Sequence, residues 1–137
     1  MSSKEKIEFS RLEKGYEFTP STYYLDPVLI EKYISAVEET SCIYRETRLI
    51  PPSALAAYAL AALSERLLLL PGTIHVSQKL EFLGGVETGD TITCRAVVGR
   101  KQSRMNMCLL NINIDVFDQN SRPVMKGETS FVIPAAD

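Results

Sequence analysis

Apolar and polar residues alternate along most of the chain after Gly72, which is the pattern of strands with one buried face. The alternation occurs in residues 74–82, 91–100, 106–117 and 124–133. In the first segment one face is expected to carry Ile74, Val76, Gln78, Leu80 and Phe82, and the other His75, Ser77, Lys79 and Glu81. Turn-forming residues separate the segments. The pattern therefore predicts four consecutive antiparallel strands with one packed face and one wetter face.

The part of the chain before Pro51 carries helical spacing instead. Asp26 and Pro27 indicate a helix start, because Asp can cap a helix and Pro fits its first turn. Apolar side chains then recur on one face, at Leu29, Ile30, Tyr33, Ile34 and Val37. The helix is expected to fade near residues 39–40. A short strand is predicted within residues 16–25, residues 41–50 suggest an irregular connection, and residues 1–13 a polar lead-in.

A second helix is predicted for residues 53–70, after Pro51-Pro52 and before Pro71-Gly72. It is dense in Ala and Leu and apolar nearly all round, so other structure is expected to enclose it. Its unbroken apolar run covers only residues 54–63, whereas a bilayer span needs about 20 apolar residues. The pattern therefore predicts a core helix and no membrane segment.

The order of these elements predicts the fold class. One apolar helix enclosed by a curved antiparallel sheet satisfies the burial demands of both elements. The sequence therefore predicts a single α+β domain over residues 1–137, with a hotdog fold in which the sheet wraps around a long apolar central helix.

Composition excludes some functional classes. The formal net charge is −2, so no basic field suggests nucleic acid or an anionic membrane as a partner. The N-terminus is polar and has no apolar signal core. The three cysteines are widely spaced and give neither a disulfide framework nor a zinc signature, so no metal or other cofactor is expected. A cytoplasmic location is the default expectation.

Several short motifs resemble the MaoC-like dehydratase and hydratase family, in particular the N-terminal-type hotdog domain of dehydratase subunits. They are Leu49-Ile50-Pro51-Pro52 before the Ala-rich helix, His75-x-x-Gln78-x-x-Glu81-Phe82 followed by Val86-x-x-Gly89-Asp90, and Val116-Phe117-Asp118-Gln119. The first predicted helix, from Asp26 to Glu39, is a further point of resemblance. The resemblance implies acyl thioesters of coenzyme A or acyl carrier protein as ligands. It also implies a dimer whose sheets join edge to edge.

The family's acid–base motif is missing from this chain. Active members carry an Asp and a His in an Asp-x-x-Asn-Pro-x-His motif just after the first helix, and hydration of an enoyl thioester needs such a proton-transferring pair. Residues 38–47 contain no His, no Asp and no Asn-Pro. The resemblance therefore implies a non-catalytic or weakly catalytic subunit of an enoyl-CoA hydratase or 3-hydroxyacyl dehydratase. It would act as a homodimer or as a heterodimer with a catalytic hotdog subunit.

A binding frame remains at the start of the second helix. Pro52, Ser53 and Ala54 lie where a helix has free backbone N–H groups and a positive dipole end, which suit a thioester carbonyl. The alternative is a plain helix start with nothing bound.

His75 is the single histidine of the chain, and two interpretations of it stay open. It could contact the thioester or transfer a proton. Its alternation with Ser77, Lys79 and Glu81 favours a half-exposed histidine that bonds a neighbour. Tyr44 and Glu46 could replace the missing catalytic pair, but a role in a loop or subunit contact is simpler.

Two other functions stay open. A hotdog acyl-CoA thioesterase would need a carboxylate near the helix start. Glu65 is a weak candidate for it, since Glu65-Arg66 is expected to be solvated or to lie at an interface where the helix surfaces. Cys42 lacks a nearby base and is expected to be an inert thiol. An acyl-CoA-binding module without turnover is the remaining alternative.

Overall fold

The computed structural model describes residues 6–36 and 48–134. The helices among them are α1 (Pro27–Ala36) and α2 (Pro52–Ser64). The strands are β1 (Ile7–Glu8), β2 (Ser21–Tyr24), β3 (Leu67–Leu68), β4 (Ile74–Phe82), β5 (Thr91–Arg104), β6 (Met107–Phe117) and β7 (Pro123–Pro134).

The main sheet is five-stranded and antiparallel, in the order β2-β5-β6-β7-β4. Alternate residues of β6 point to its inner face and are buried, as the sequence pattern predicts: Cys108, Leu110, Ile112, Ile114 and Val116. Helix α2 belongs to the same core through Ala54, Leu55, Ala59, Ala62 and Leu63. The predicted α+β hotdog architecture is therefore confirmed.

The end of α2 differs from the prediction. The helix ends at Ser64 rather than at residue 70, and Leu67–Leu68 forms the short strand β3, parallel to β1. The N–H of Ile7 donates to the carbonyl of Arg66 at 2.8 Å, which ties the two strands together. A run of leucines can be buried in a strand as well as in a helix, so the sequence does not indicate where the helix ends and the strand begins.

The expectation that α2 is enclosed all round is also wrong for the chain on its own. Ala54 and Leu63 are buried, but Ala57 and Ala61 are exposed on another side of the helix. Small side chains on an open helix face cost little exposed apolar area, so the helix does not need cover on that side.

The N-terminal segment is not only a polar lead-in, because part of it is built into the core. Leu12 is fully buried. The Lys101 ammonium donates to the carbonyl oxygens of Phe9 at 2.9 Å and Leu12 at 3.0 Å. A bulge after Val98 brings Lys101 opposite the buried Leu110, on the inner face of the sheet, where it reaches this segment.

Asp118 organises the turn between β6 and β7. Its carboxylate accepts the backbone N–H groups of Asn120 at 2.9 Å and Arg122 at 3.0 Å, and the Arg122 Nε at 3.0 Å. Burial alone would raise the pKa of Asp118, but these backbone donors and the guanidinium lower it below its ordinary value. The side chain is therefore a buried carboxylate whose hydrogen bonds hold the turn.

We expect Asp118→Ala to lower the free energy of unfolding at pH 7 by about 2–3 kcal/mol, because three donors lose their acceptor. Asn120→Ala keeps the backbone donor and is the matched control, with a change within about 0.5 kcal/mol. The lowered pKa means that this stabilisation is complete above the unfolded pKa of about 4 and is lost as pH falls through the folded value. Urea unfolding at pH 7 and pH 3 measures both effects. An equal loss at both pH values would contradict the assignment.

Candidate functional site

A cavity of about 460 Å³ lies where the second half of α2, β3 and the inner side of β4 and β7 meet. Its lining is Lys6, Leu60, Leu63, Ser64, Leu67, Leu68, Leu69, His75 and Phe131. Ligand sites typically occupy roughly 300–1,000 Å³ and combine an apolar lining with a few polar groups. Leucine side chains and Phe131 form most of this wall, and Lys6, Ser64 and His75 supply polar or charged groups.

His75 lies on the opposite face of β4 from the one predicted. A bulge between His75 and Ser77 shifts the register, so His75 stands opposite Phe131, which is buried on the inner face. One extra residue in a strand reverses the alternation for everything on its far side. The same shift leaves Ile74 opposite Val132, on the outer face, where the prediction had it packed inside.

The His75 ring is held by two neighbours. Its Nε2 lies 2.6 Å from the hydroxyl oxygen of Thr129, which is fully buried. The ring also stacks on Phe131, with centroids 5.0 Å apart and planes 29° apart. The sequence left open whether His75 contacts a ligand or bonds a neighbouring residue. The structure shows a hydrogen bond to a neighbour, Thr129, which lies on the adjacent strand β7. Among the described residues, no hydrogen bond to the other ring nitrogen, Nδ1, is seen.

The described residues place no carboxylate against His75. Its hydrogen-bonding neighbour is a threonine hydroxyl, which orients the ring without stabilising an imidazolium as a carboxylate would. This arrangement suits ligand contact better than general-base catalysis, for which a second positioned group is needed.

The start of α2 is more restricted than its sequence suggests. The N–H of Ala54 donates to the carbonyl of Pro51 at 3.0 Å, and Pro52 has no N–H, so Ser53 is left as the backbone donor for a carbonyl. The Tyr33 hydroxyl donates to the Ser53 Oγ at 2.8 Å. Sequence reasoning assigned Tyr33 only to the apolar face of α1, and no motif signals this contact.

The predicted substrate-binding residues do not meet within one subunit. Pro52, Ser53 and Ala54 lie at the start of α2, whereas the cavity beside His75 is lined by Leu63 and Ser64 near its end. The separation along the helix is about 15 Å at 1.5 Å per residue. The candidates Tyr44 and Glu46, and also Cys42, fall in residues 37–47, outside the described residues.

Glu65 belongs to a different, internal cluster. It caps the end of α2, is half-buried rather than solvated, and lies close enough to Tyr23 and Cys94 to affect both. Burial, and then the Glu65 charge, raises the pKa of Tyr23 to about 12. Glu65 is therefore at the opposite end of α2 from the position that a thioesterase carboxylate requires.

The stability of the protein at alkaline pH tests whether the Cys94 thiol is buried beside Glu65. Burial, and then the Glu65 charge, raises the pKa of the Cys94 thiol to about 12, whereas the unfolded thiol titrates near ~9. The neutral thiol therefore stabilises the fold fully below pH ~9, and this contribution is lost as pH rises toward the folded value. Between about pH 9 and 11 we expect the free energy of unfolding to fall more steeply for the wild type than for Cys94→Ala. Parallel urea-unfolding profiles would contradict the assignment.

Two kinds of site were not found in the part of the chain that the structure describes. No group of three or more His, Cys, Asp or Glu residues there could hold a metal ion. Neither α1 nor α2 has the length and apolarity of a membrane-crossing helix.

The fold is shared with solved hydratases and dehydratases. The R-hydratase PhaJ1 from Pseudomonas aeruginosa superposes with a TM-score of 0.79 at 23% identity, over 96% of this chain and 88% of that chain. A MaoC-like dehydratase from Rhodospirillum rubrum gives a TM-score of 0.74 at 15% identity, over 94% and 97%. The HadBC (3R-hydroxyacyl-ACP dehydratase) complex from Mycobacterium tuberculosis gives 0.69 at 14%, over 87% and 96%.

Sequence comparison adds no closer relationship. No protein-family model matches the chain, and a search of curated proteins gives no match. At these identities the structural similarity shows the fold, so the resemblance to MaoC-like dehydratases is confirmed at the level of the hotdog fold.

Proposed function

We propose that this protein binds acyl thioesters of coenzyme A or acyl carrier protein, as a non-catalytic or weakly catalytic subunit of the enoyl-thioester hydratase and 3-hydroxyacyl-thioester dehydratase type. The observation that carries the proposal is the leucine-lined cavity with His75 at its wall, in a hotdog fold. The apolar wall suits an acyl chain, and His75 suits contact with a polar group attached to it.

The thioester end would use the start of α2. Ser53 offers a backbone donor there, and the Tyr33 hydroxyl fixes the Ser53 side chain. Since this helix start and the cavity are about 15 Å apart in one subunit, a ligand that engages both groups would use the helix start of one subunit and the cavity of another. The proposed protein is a dimer that pairs with another hotdog chain along β4, which is an edge strand of the five-stranded sheet. That chain is either a second copy or one that carries the Asp/His motif.

Acyl binding is tested by thermal unfolding with octanoyl-CoA, with free coenzyme A as the reference ligand. A ligand at 100 times its Kd stabilises a protein by about 2.7 kcal/mol. Leu68, which lines the cavity, is 42% exposed, and Met107, which does not, is 51% exposed. We expect Leu68→Glu to weaken octanoyl-CoA binding at least ~10-fold, because a charge enters an apolar wall, and Met107→Glu to leave it unchanged. Equal effects would argue against this cavity.

The absent catalytic pair gives a second test. The purified chain is expected to show no measurable hydration of crotonyl-CoA, because residues 38–47 provide neither of the two proton-transferring groups. A co-purified hotdog chain carrying the Asp/His motif is expected to provide that activity. Efficient hydration by the purified chain would overturn the non-catalytic assignment.

A further inference from the structure

The cavity beside His75 has an apolar interior and a polar opening. Leu63 and Leu67 are buried in its wall. The three polar side chains that line it, those of Lys6, Ser64 and His75, are all exposed to solvent. A ligand in this cavity would therefore meet leucines inside and charge and hydrogen-bonding groups at the opening.

Backbone contacts anchor Lys6 at this opening. The next residue, Ile7, pairs with Leu67, and its N–H donates to the Arg66 carbonyl at 2.8 Å. Strand β1 is thereby held against β3, whose residues Leu67 and Leu68 belong to the cavity wall. The backbone of Lys6 is therefore fixed beside the leucines, and its ammonium can reach the end of a ligand that lies among them.

The described residues supply no anion for this ammonium. None of those that line the cavity carries a carboxylate, and Glu8, two residues further along β1, does not line it. Within residues 6–36 and 48–134 no salt bridge involves Lys6. A cation beside an apolar wall is suited to a ligand that combines an alkyl chain with an anion, because charge-assisted hydrogen bonds are the stronger ones.

The position of the thioester decides which part of such a ligand lies near Lys6. In the proposed function the thioester lies at the start of α2, so the cavity receives the opposite end of the acyl chain. We infer that this end carries a second carboxylate, which pairs with the Lys6 ammonium at the opening while the leucines cover the methylene groups. The inference rests on the proposed function and names its class of ligand, a dicarboxylic acid bound as a monothioester.

Two ligands of equal chain length test the inference. Octanoyl-CoA ends in a methyl group, and suberyl-CoA has a carboxylate in its place. Calorimetric titration of the full chain gives the Kd of each ligand. We expect suberyl-CoA to bind about 5-fold more tightly than octanoyl-CoA at low ionic strength, which is the upper range for an exposed ion pair. The preference is expected to shrink in high salt.

Lys6→Met removes the charge and keeps an unbranched side chain of similar length. We expect it to leave octanoyl-CoA binding within about 2-fold of the wild type and to reverse the preference, with suberyl-CoA at least ~5-fold weaker than octanoyl-CoA, because an unpaired carboxylate would then lie against leucines. Lys14→Met is the matched control, since it removes the same charge from the N-terminal segment at a residue that does not line the cavity. It is expected to keep the wild-type preference.

The outcomes separate this inference from the proposed function. Equal binding of the two ligands by the wild type would overturn the inference. So would a Lys6→Met variant that weakens both ligands equally, since Lys6 would then contact the coenzyme A phosphates. In either case octanoyl-CoA binding, compared between the wild type and Leu68→Glu, still supports the proposed function. A chain that binds neither ligand would overturn the proposed function, and the inference with it.

Discussion

Replacing Gln78 with proline is expected to leave a folded monomer. The Leu83 N–H donates to the Val124 carbonyl, and hydrogen-bonding direction alternates along an antiparallel strand, so the Gln78 N–H points away from β7. In the proposed dimer along β4, proline would therefore remove a hydrogen bond to the neighbouring subunit and none within the chain's own sheet. The ring also fills the space into which the partner strand must fit. We expect the dimer Kd to rise at least ~100-fold, since by symmetry two backbone bonds are lost and the strands are held apart.

Gln78→Ala is the control for this substitution, because it shortens the same side chain and keeps the N–H. It is expected to dimerise within a few-fold of the wild type. Sedimentation velocity gives the two Kd values, and circular dichroism reports whether the proline variant keeps its strands. A proline variant that dimerises like the alanine variant would show that the subunits join at another surface.

Gly127→Ala is expected to destabilise the sheet strongly. A Cβ at this position would lie 2.6 Å from the backbone carbonyl oxygen of Lys79 and 2.6 Å from Leu80 Cδ2. A backbone oxygen cannot move aside by rotating, so β4 must shift away from β7. We expect the free energy of unfolding to fall by about 2–4 kcal/mol, in the upper range of overpacking effects.

Gly84→Ala is the matched control, because its nearest contacts would be 3.8 Å away, on the flexible Arg122 side chain. Its effect is expected to stay within about 0.5 kcal/mol. Urea unfolding compares the two variants. Equal stabilities would mean that β4 and β7 are not held as closely as the structure shows. Octanoyl-CoA binding should weaken with Gly127→Ala alone, because the same shift separates His75 from Thr129.

These features support the proposal that the protein binds its ligand and does not transform it on its own. His75 is oriented by a hydroxyl, and the residues that follow α1 lack both members of the family's acid–base pair. A proposed dimer of two copies of this chain would bring two copies of the same incomplete site together. A homodimer of this kind would hold an acyl thioester, and catalysis would need a further chain that carries the motif.

Sequence patterning predicted β5, β6 and β7 well because each of them has one buried face, whereas the face of β4 predicted to be packed is mostly exposed. In β6 the inner residues from Cys108 to Val116 follow the expected alternation without interruption. The start of α2 was also predicted to within one residue, since Pro51-Pro52 excludes a preceding helical turn.

The same pattern gave a wrong prediction where a helix and a strand would bury the apolar residues equally well. The leucines at 67–70 are compatible with a helix or with a strand. Leu67–Leu68 forms a strand because it pairs with the strand that begins at Ile7, which is distant in the sequence. Lys101 lies beyond the predicted strand 91–100, and its ammonium donates to carbonyl oxygens of the N-terminal segment, a contact that no sequence pattern signals. Both outcomes depend on contacts far apart in the chain.

The order of residues was enough to establish the hotdog class, the inner face of β6 and the absence of the acid–base motif, because each follows from local periodicity or from residue identity. The face of His75 was decided by the tertiary structure, since one bulge in β4 reverses the alternation on which the prediction depended. The position of β4 at the edge of the sheet was also determined by the tertiary structure. Which strand lies last in a sheet depends on how the distant strands pair, and local alternation carries no information about that order.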